Sequence, residues 1–468
     1  MDPCHMLKLV RNCLASKGSI VDCDSGFILW EHITNLEKFQ KEQGLHAATK
    51  LRARHIEWYR EKMKVKLAAQ VLSNSVADAL LYLENDLKHP TFIGCAPTIK
   101  FLKIFNNLFD ILNSKNLLSK DFKSPIKPQN KDTILNFLNT AQEYIKNLRT
   151  SKNGDYILHS NRKTGFLEFL VCINSIKSLY IELCEISPNP LNFFLTYKLS
   201  QDHLELFFSA IRTKGGHNNN PTAKQFKAAY VRLLMHHHIM TSGSANCIVL
   251  DDTNILNVSS STNIYLKSIN FNSTDTFKGD FDFSENCVTE DHSFALTSCK
   301  QFSDFVSDVV VYIAGSVVKK LKNALKCHTC IYSLSEVVLT VDYTQNKLVV
   351  RKNRGGLTVP SASVVKICRA AEKSFRTTQV SGKLKQKNIM ASLISDSVKC
   401  VIENSPNIFL GMHEHILNHD PLDNHRSSLI KAILFEYLKI RLYHAGKVET
   451  EKLQNKKLMH ENDLVKQE

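Results

Sequence analysis

No stretch of the chain approaches the ~18 consecutive uncharged apolar residues that a membrane-crossing helix needs. The first residues, with Asp2, Pro3 and His5, lack the basic-then-apolar order of a signal peptide. Glycine is scarce, 16 in 468 residues, and no Gly-x4-Gly-Lys-Ser/Thr loop occurs. A phosphate would therefore have to be held by Lys and Arg side chains and helix N-termini. Thirteen cysteines, an odd number without a framework of short spacings, fit a reducing compartment better than a disulfide scaffold. The expectation is a soluble intracellular protein with no membrane partner.

What is present is charge and a core. With 43% hydrophobic and 22% charged residues the chain is globular, and its length allows two or three cores. The net charge of +15 favours polyanions, nucleic acid first among them. Between Asp251 and Asp308 ten acidic residues face three lysines, so the remainder carries +22.

Residues 27–88 place apolar and basic residues at helical spacing, with Leu36, Phe39, Leu45, Ile56, Tyr59, Met63, Leu67, Val71 and Leu80 as the inward set. Thr98–Leu118, Asp132–Arg149 and Gly165–Glu185 read as further amphipathic helices, and Pro221–Ile239 as another. From Thr241 to about Asp304 the composition turns to Ser, Thr, Asn and Asp and reads as a linker. Phe305–Leu325 is expected as a helix containing Gly315, Val337–Val350 alternates like a short hairpin, and the charged last twenty or so residues are expected to fray.

Chemistry concentrates in Leu199-Ser-Gln-Asp-His-Leu-Glu-Leu-Phe-Phe-Ser-Ala-Ile-Arg212, which continues to Phe226. Asp202 and Glu205 stand three residues apart and so share one side of a helix. Leu204, Phe207, Phe208 and Ile211 are expected to pack on another. Two acids on one face suit a metal site. They also suit the positive end of a helix dipole, with Ser200 as the cap.

This segment, with Phe207-Phe208, Arg212 and Asn220-Pro221-Thr222, resembles the last catalytic segment of P-element-type DNA transposases, the family that includes the THAP-domain transposases. Asp2–Asn12, Lys62–Ala79, Leu108-Phe-Asp-Ile-Leu-Asn-Ser114, Lys163–Phe169, Val311-Tyr-Ile-Ala-Gly315, Cys327-His-Thr-Cys330 and Asp423-Asn-His-Arg-Ser-Ser428 recur there in the same order. The resemblance implies a mainly α fold: an all-helical insertion within a truncated RNase H-like α/β core, followed by a mostly helical C-terminal domain with a small hairpin. The expected boundaries are 1–15 for a remnant of the RNase H-like core, 16–198 for the insertion, and 199–240 for the core's last segment. The linker then spans 241–304, the C-terminal domain 305–445 and a charged tail 446–468.

By resemblance, Glu205 is the final metal-binding acid and Asp202 an accessory group. Two Mg2+ ions held by carboxylates would activate the attacking oxygen and steady the leaving one. The insertion would bind GTP, with Asp110 and Asn113 at base-reading positions and Ser75 and Val76 as neighbouring contacts. Asp110 and Asn113 also read simply as a solvated helix end. Where the family carries an Asn-Lys-x-Asp-like signature this chain has Thr49-Lys50-Leu51-Arg52. Arg52, Arg54, Arg60, Lys62, Lys64 and Lys66 either face phosphates or form a solvated face.

The two other acids of the catalytic site, and the N-terminal zinc-binding THAP module, lie upstream in the family. The expectation is that the chain is inactive alone. Two functions stay open. One is a nuclear DNA transposase by descent, acting on transposon ends and target DNA with GTP for assembly. The other is a domesticated nucleotide- or DNA-binding protein, acting as a homo-oligomer or an inhibitor associated with full-length transposase. Cys327-x2-Cys330, with His328 between, has the spacing of half a zinc site, with partners available in Cys287, Cys299, Cys368 or His236-His237-His238. Without a second short-spaced pair it reads as two buried thiols at a helix end.

Overall fold

The computed structural model describes residues 2–151, 154–214, 216, 218–235, 302–335, 347–405, 407–409, 412 and 425–465. The chain opens with α1 (Pro3–Lys17), whose ends follow from local chemistry. The Asp2 side chain accepts from the Cys4 N–H at 3.0 Å, Pro3 fills the first helical position, and Gly18 ends the helix at φ 76°. Met6, Leu7, Val10 and Leu14 form its buried stripe. Leu7 is wholly buried, and α1 packs against α4, α6 and α8, the helices Val65–Val71, Ala96–Leu112 and Thr164–Tyr180 introduced next.

Strands β1 (Ser19–Val21), β2 (Phe27–Leu29) and β3 (Arg149–Thr150) form an antiparallel sheet in the order β2-β1-β3. Ile20 pairs with Ile28 on one side and Thr150 on the other. Segments this short carry no readable alternation. The helices α2 (Trp30–Gln43), α3 (Ala53–Ile56), α4 (Val65–Val71), α5 (Asn74–Leu81), α6 (Ala96–Leu112), α7 (Lys131–Lys146) and α8 (Thr164–Tyr180) complete the first part. A π-helical turn, Tyr82–Asp86, extends α5.

Leu36, Leu45, Leu67, Val71 and Leu80 are buried as the periodicity required, but Tyr59 and Met63 are 55% and 67% exposed. The reason is local: 57–64 is a 3-10 turn and loop, so a 3.6-residue period does not apply there. Phe101, Phe105, Phe166 and Phe169 interlock at the centre, with ring centroids 4.6–5.8 Å apart. Gly165 lets α8 approach α1: a Cβ there would sit 2.8 Å from the Leu9 Cβ.

Residues 201–301 make a separate compact unit. Its described part is a pair of helices, α9 (Asp202–Lys214) and α10 (Ala223–Met235). Ala210, Ile211, Ala229 and Leu233 are buried, with Phe207 and Phe226 packed on them. Leu204 and Phe208 are 60% and 47% exposed, against the expectation that both would be core. The contact with α10 follows the 207/210/211 stripe, and 204/208 is a different i,i+4 stripe. The end of the helix read to Ile239, the His236–His238 triplet and nearly all of the 241–304 linker fall outside the described residues.

The C-terminal part contains α11 (Asp304–Ala324), α12 (His328–Ser333), α13 (Lys347–Lys352), α14 (Ala362–Val380), α15 (Ile389–Asn404) and α16 (His425–Val465). α14 packs against α11, α15 and α16. Gly315 in α11 is required, because a Cβ there would collide with the Thr358 carbonyl oxygen. The expected hairpin is corrected over Lys347–Val350, which is helical, while 336–346 lie outside the described residues. Continuation of α16 to Val465 likewise replaces fraying with helix over most of the tail.

One hydrophobic cluster runs from Met6 to Leu438, so residues 2–200 and 302–465 form a single body. The Glu372 carboxylate is wholly buried at its C-terminal end. It accepts from Arg376 Nε (2.7 Å), Arg441 Nε (2.7 Å) and Tyr437 OH (2.9 Å). Arg376 and Arg441 also donate to the carbonyls of Gln43 and Gly44, which ties this network to the end of α2.

Candidate functional site

Asp110 lies in the last full turn of α6 and Asn113 at its C-terminal cap, three residues on and on the same side. An asparagine network fixes the acid. Asn106 Nδ2 donates to Asp110 Oδ2 at 2.9 Å, and Asn106 Oδ1 accepts from the Asn74 N–H at 3.1 Å. Asn74 Nδ2 donates to Asn107 Oδ1 at 3.2 Å, so the start of α5 and the end of α6 are held as one unit. Burial raises the Asp110 pKa, opposed by Lys123, Asn106 and Arg354.

Ser75 is in the first turn of α5, and α13 comes to it from far along the chain. Lys352 Nζ donates to Ser75 Oγ at 3.1 Å and to the Ser75 carbonyl at 3.3 Å. Arg354 Nη2 donates to both oxygens of Asp78, at 2.8 and 3.1 Å, and Arg351 forks onto Asp86 through Nε (2.8 Å) and Nη2 (3.1 Å). Burial lowers the Lys352 ammonium to about 8; Asp78 opposes the shift and Arg354 adds to it. Val76 is 1% exposed, so its side chain is core and only its backbone lies near Ser75.

The junction of α5, α6 and α13 thus gathers an oriented acid, amides, a hydroxyl and two cations. These are groups that can read a purine edge and offset phosphate charge. Lys352 and Arg354 were missed by sequence reasoning. Arg351-Lys-Asn-Arg354 was visible as a basic run, but nothing local tied it to Ser75, 277 residues away.

Thr49 and Arg52 line a different cavity of about 510 Å³, with Lys41, His46, Arg441 and His444. Burial and the neighbouring cations hold His46 down at about 3 and His444 at about 4. This cavity is cationic and lacks Asp110, Asn113 and Ser75, so the two sequence-predicted nucleotide stretches are not brought together.

In the separate unit, Asp202 opens α9 and is 3% exposed, while Glu205 one turn later is half-buried. Both offer hard oxygen donors on one side of the helix, which fits the kind of ligand a divalent cation such as Mg2+ takes.

Residues 4–125 match the family described as TNP-like, GTP-binding insertion domain. Residues 197–231 match TNP-like, RNase H C-terminal domain, and residues 301–447 match DNA transposase THAP9, C-terminal domain. The chain is 30% identical over 450 residues to DNA transposase THAP9 of Homo sapiens, covering 94% of this chain and 48% of that protein. The chain is homologous to the P-element-type DNA transposases. It is also 26% identical over 328 residues to the Transposable element P transposase of Drosophila melanogaster, covering 69% of this chain and 40% of that one. Among solved structures, the Drosophila P element transposase strand transfer complex matches at 27% identity over 49% of each chain, with a TM-score of 0.40.

This transposase homologue spans less than half the length of the curated relatives it matches. Asp110, Asn113, Ser75 and Val76 fall inside the insertion-domain match, and Asp202 and Glu205 inside the RNase H C-terminal match. The first helix, read from sequence as a core remnant, lies almost wholly inside the insertion-domain match. Among the described residues no helix is long and apolar enough to cross a membrane.

Proposed function

We propose that this chain supplies the nucleotide-binding insertion, the last acid-bearing helix and the C-terminal domain of a cut-and-paste DNA transposase, and that the α5–α6–α13 junction holds GTP as an assembly cofactor. The observation that carries the nucleotide reading is Asp110, a half-buried carboxylate oriented by Asn106 beside Asn113, with the Lys123 and Arg354 cations acting on it. A carboxylate can accept two N–H groups from the guanine edge, and adenine offers no such pair. Ser75 and Lys352 would face the phosphates.

On the same reading Glu205, with Asp202 as accessory, contributes oxygen ligands to Mg2+. The ion would stabilise charge on the phosphoryl oxygens during strand cleavage and transfer. The positive balance of +22 outside the acidic window suits DNA, both transposon ends and target. Assembly with further copies or with full-length transposase, in the nucleus, completes the proposal.

A titration with fluorescent GTP tests it. Micromolar binding is expected, weakened more than tenfold in Asp110→Ala and outcompeted by GTP but not ATP. Absence of GTP binding sinks the nucleotide reading. GTP and DNA binding without Mg2+-dependent strand transfer, and unchanged by Glu205→Gln, would favour the reading as a non-catalytic nucleotide- or DNA-binding protein.

A further inference from the structure

Cys327 is the residue before α12 and Cys330 lies in its first turn, so the two-residue spacing turns both thiols toward the same end of the helix. His425, 95 residues beyond Cys330, opens α16. The ring reaches back to the thiols. Its Nδ1 lies 3.7 Å from Cys330 Sγ, and the ligand atoms of Cys327, Cys330 and His425 all lie within 4.8 Å of one another. Zinc bonds of about 2.3 Å to sulfur and about 2.05 Å to nitrogen, at a tetrahedral angle, separate the two ligand atoms by roughly 3.6 Å. The observed separation therefore matches two donors to one ion.

We propose that Cys327, Cys330 and His425 bind Zn2+. Two thiolates and an imidazole form a soft donor set that selects zinc over Mg2+, so this site is chemically distinct from one built on Glu205. Packing alone accounts for Cys330, which is 4% exposed, but it does not require an imidazole turned onto both sulfurs. Cys327 and His425 are half-buried, which leaves one side accessible and a fourth coordination position for water or another donor. Cys368, one of the partners open from sequence, is fully enclosed in the core and does not join the cluster. Cys287, Cys299 and the His236–His238 triplet lie outside the described residues.

The ion would be structural. It would pin the start of α16 to the start of α12 and close a long loop at one point, so binding would appear as folding stability.

The test uses the full chain purified from zinc-supplemented culture. Stoichiometric zinc by elemental analysis is expected, lost in Cys330→Ser and in His425→Ala. Replacement by Co2+ should give a thiolate charge-transfer band in the near ultraviolet and d–d bands of tetrahedral intensity. Titration of the wild-type chain with an organomercurial, read by a zinc-sensitive dye, keeps the test independent of whether the variants fold. Zinc should leave as the first thiols react. Wild-type chain that holds no stoichiometric zinc after reconstitution, or that releases none as its thiols react, overturns the proposal, as does zinc retained at full level in both variants.

Discussion

The large body and the α9–α10 pair both carry acids singled out from sequence, and they position them by different means. Asp110 is held by a network that joins two helices, set in a core that includes the phenylalanine cluster and is tied by the Arg351–Asp86 and Arg354–Asp78 ion pairs to the C-terminal part. Asp202 and Glu205 sit in the first turn of α9, which packs on α10 through a small set of residues, Phe226, Ala229, Tyr230 and Leu233 among them. The contrast shows where preorganisation comes from. An acid in the large body inherits rigidity from long-range packing, whereas Asp202 and Glu205 share the first turn of a single helix.

Substitutions can break this contrast, and the largest effect is expected at Glu372. Glu372→Ala leaves buried Arg441 and half-buried Arg376 without their carboxylate and should cost about 3–5 kcal/mol in urea unfolding of the large body. An effect below ~1 kcal/mol would mean that the network is not the clamp described, since an average point substitution already costs that much. Gly315→Ala forces α11 off the Thr358 carbonyl and should cost about 1–3 kcal/mol, read the same way.

Asp110→Ala should weaken GTP binding at least tenfold, about 1.4 kcal/mol. It should leave urea unfolding less affected than Glu372→Ala does. Equal effects on both would place Asp110 in the scaffold instead of the site.

The pH dependence of the junction is a smaller effect. The folded Lys352 value of about 8 lies below the ordinary lysine value of 10.5, so the folded body resists protonation there. The resulting cost is absent above 10.5, builds as pH falls from 10.5 to 8, and is complete below. The stability difference between Lys352→Met and wild type, whatever its offset, should therefore shift in favour of wild type as pH rises from 8 to 10.5. A flat difference across that window would mean that Lys352 is solvated in solution. The smallest effect is expected for Leu204→Ser, which should change stability by no more than about 0.5 kcal/mol because this side chain is mostly exposed.

The long helices were legible because their period is long enough to count. Thr98–Leu118 was observed as Ala96–Leu112 and Phe305–Leu325 as Asp304–Ala324. The three strands were not, having two or three residues each. Lys347-Leu-Val-Val350 misled because a β-branched apolar run suits either a strand or a buried helix turn, and packing against α5 and α11 decided for helix. At the α5–α6–α13 junction the local half was readable: Asp110 with Asn113 share one helical side and Ser75 sits at a helix start. The cations were not, since no rule of spacing links α13 to α5 across 277 residues. His425 was hidden in the same way, as its sulfur partners are 95 residues back.

The single core shared by residues 2–200 and 302–465 sets an order of events during synthesis. Phe39 meets Phe305, and Tyr82 hydrogen-bonds Asp308 at 2.5 Å, so the inner faces of α2 and α5 are finished by residues made more than 200 positions later. At translation rates of about 5–20 residues per second, the roughly 100 residues between the two halves take on the order of 5–20 s to appear. Through that interval the first half leaves the ribosome with apolar surface uncovered. Chaperone occupancy of the nascent chain should therefore peak before α11 emerges and fall as α14 and α16 arrive.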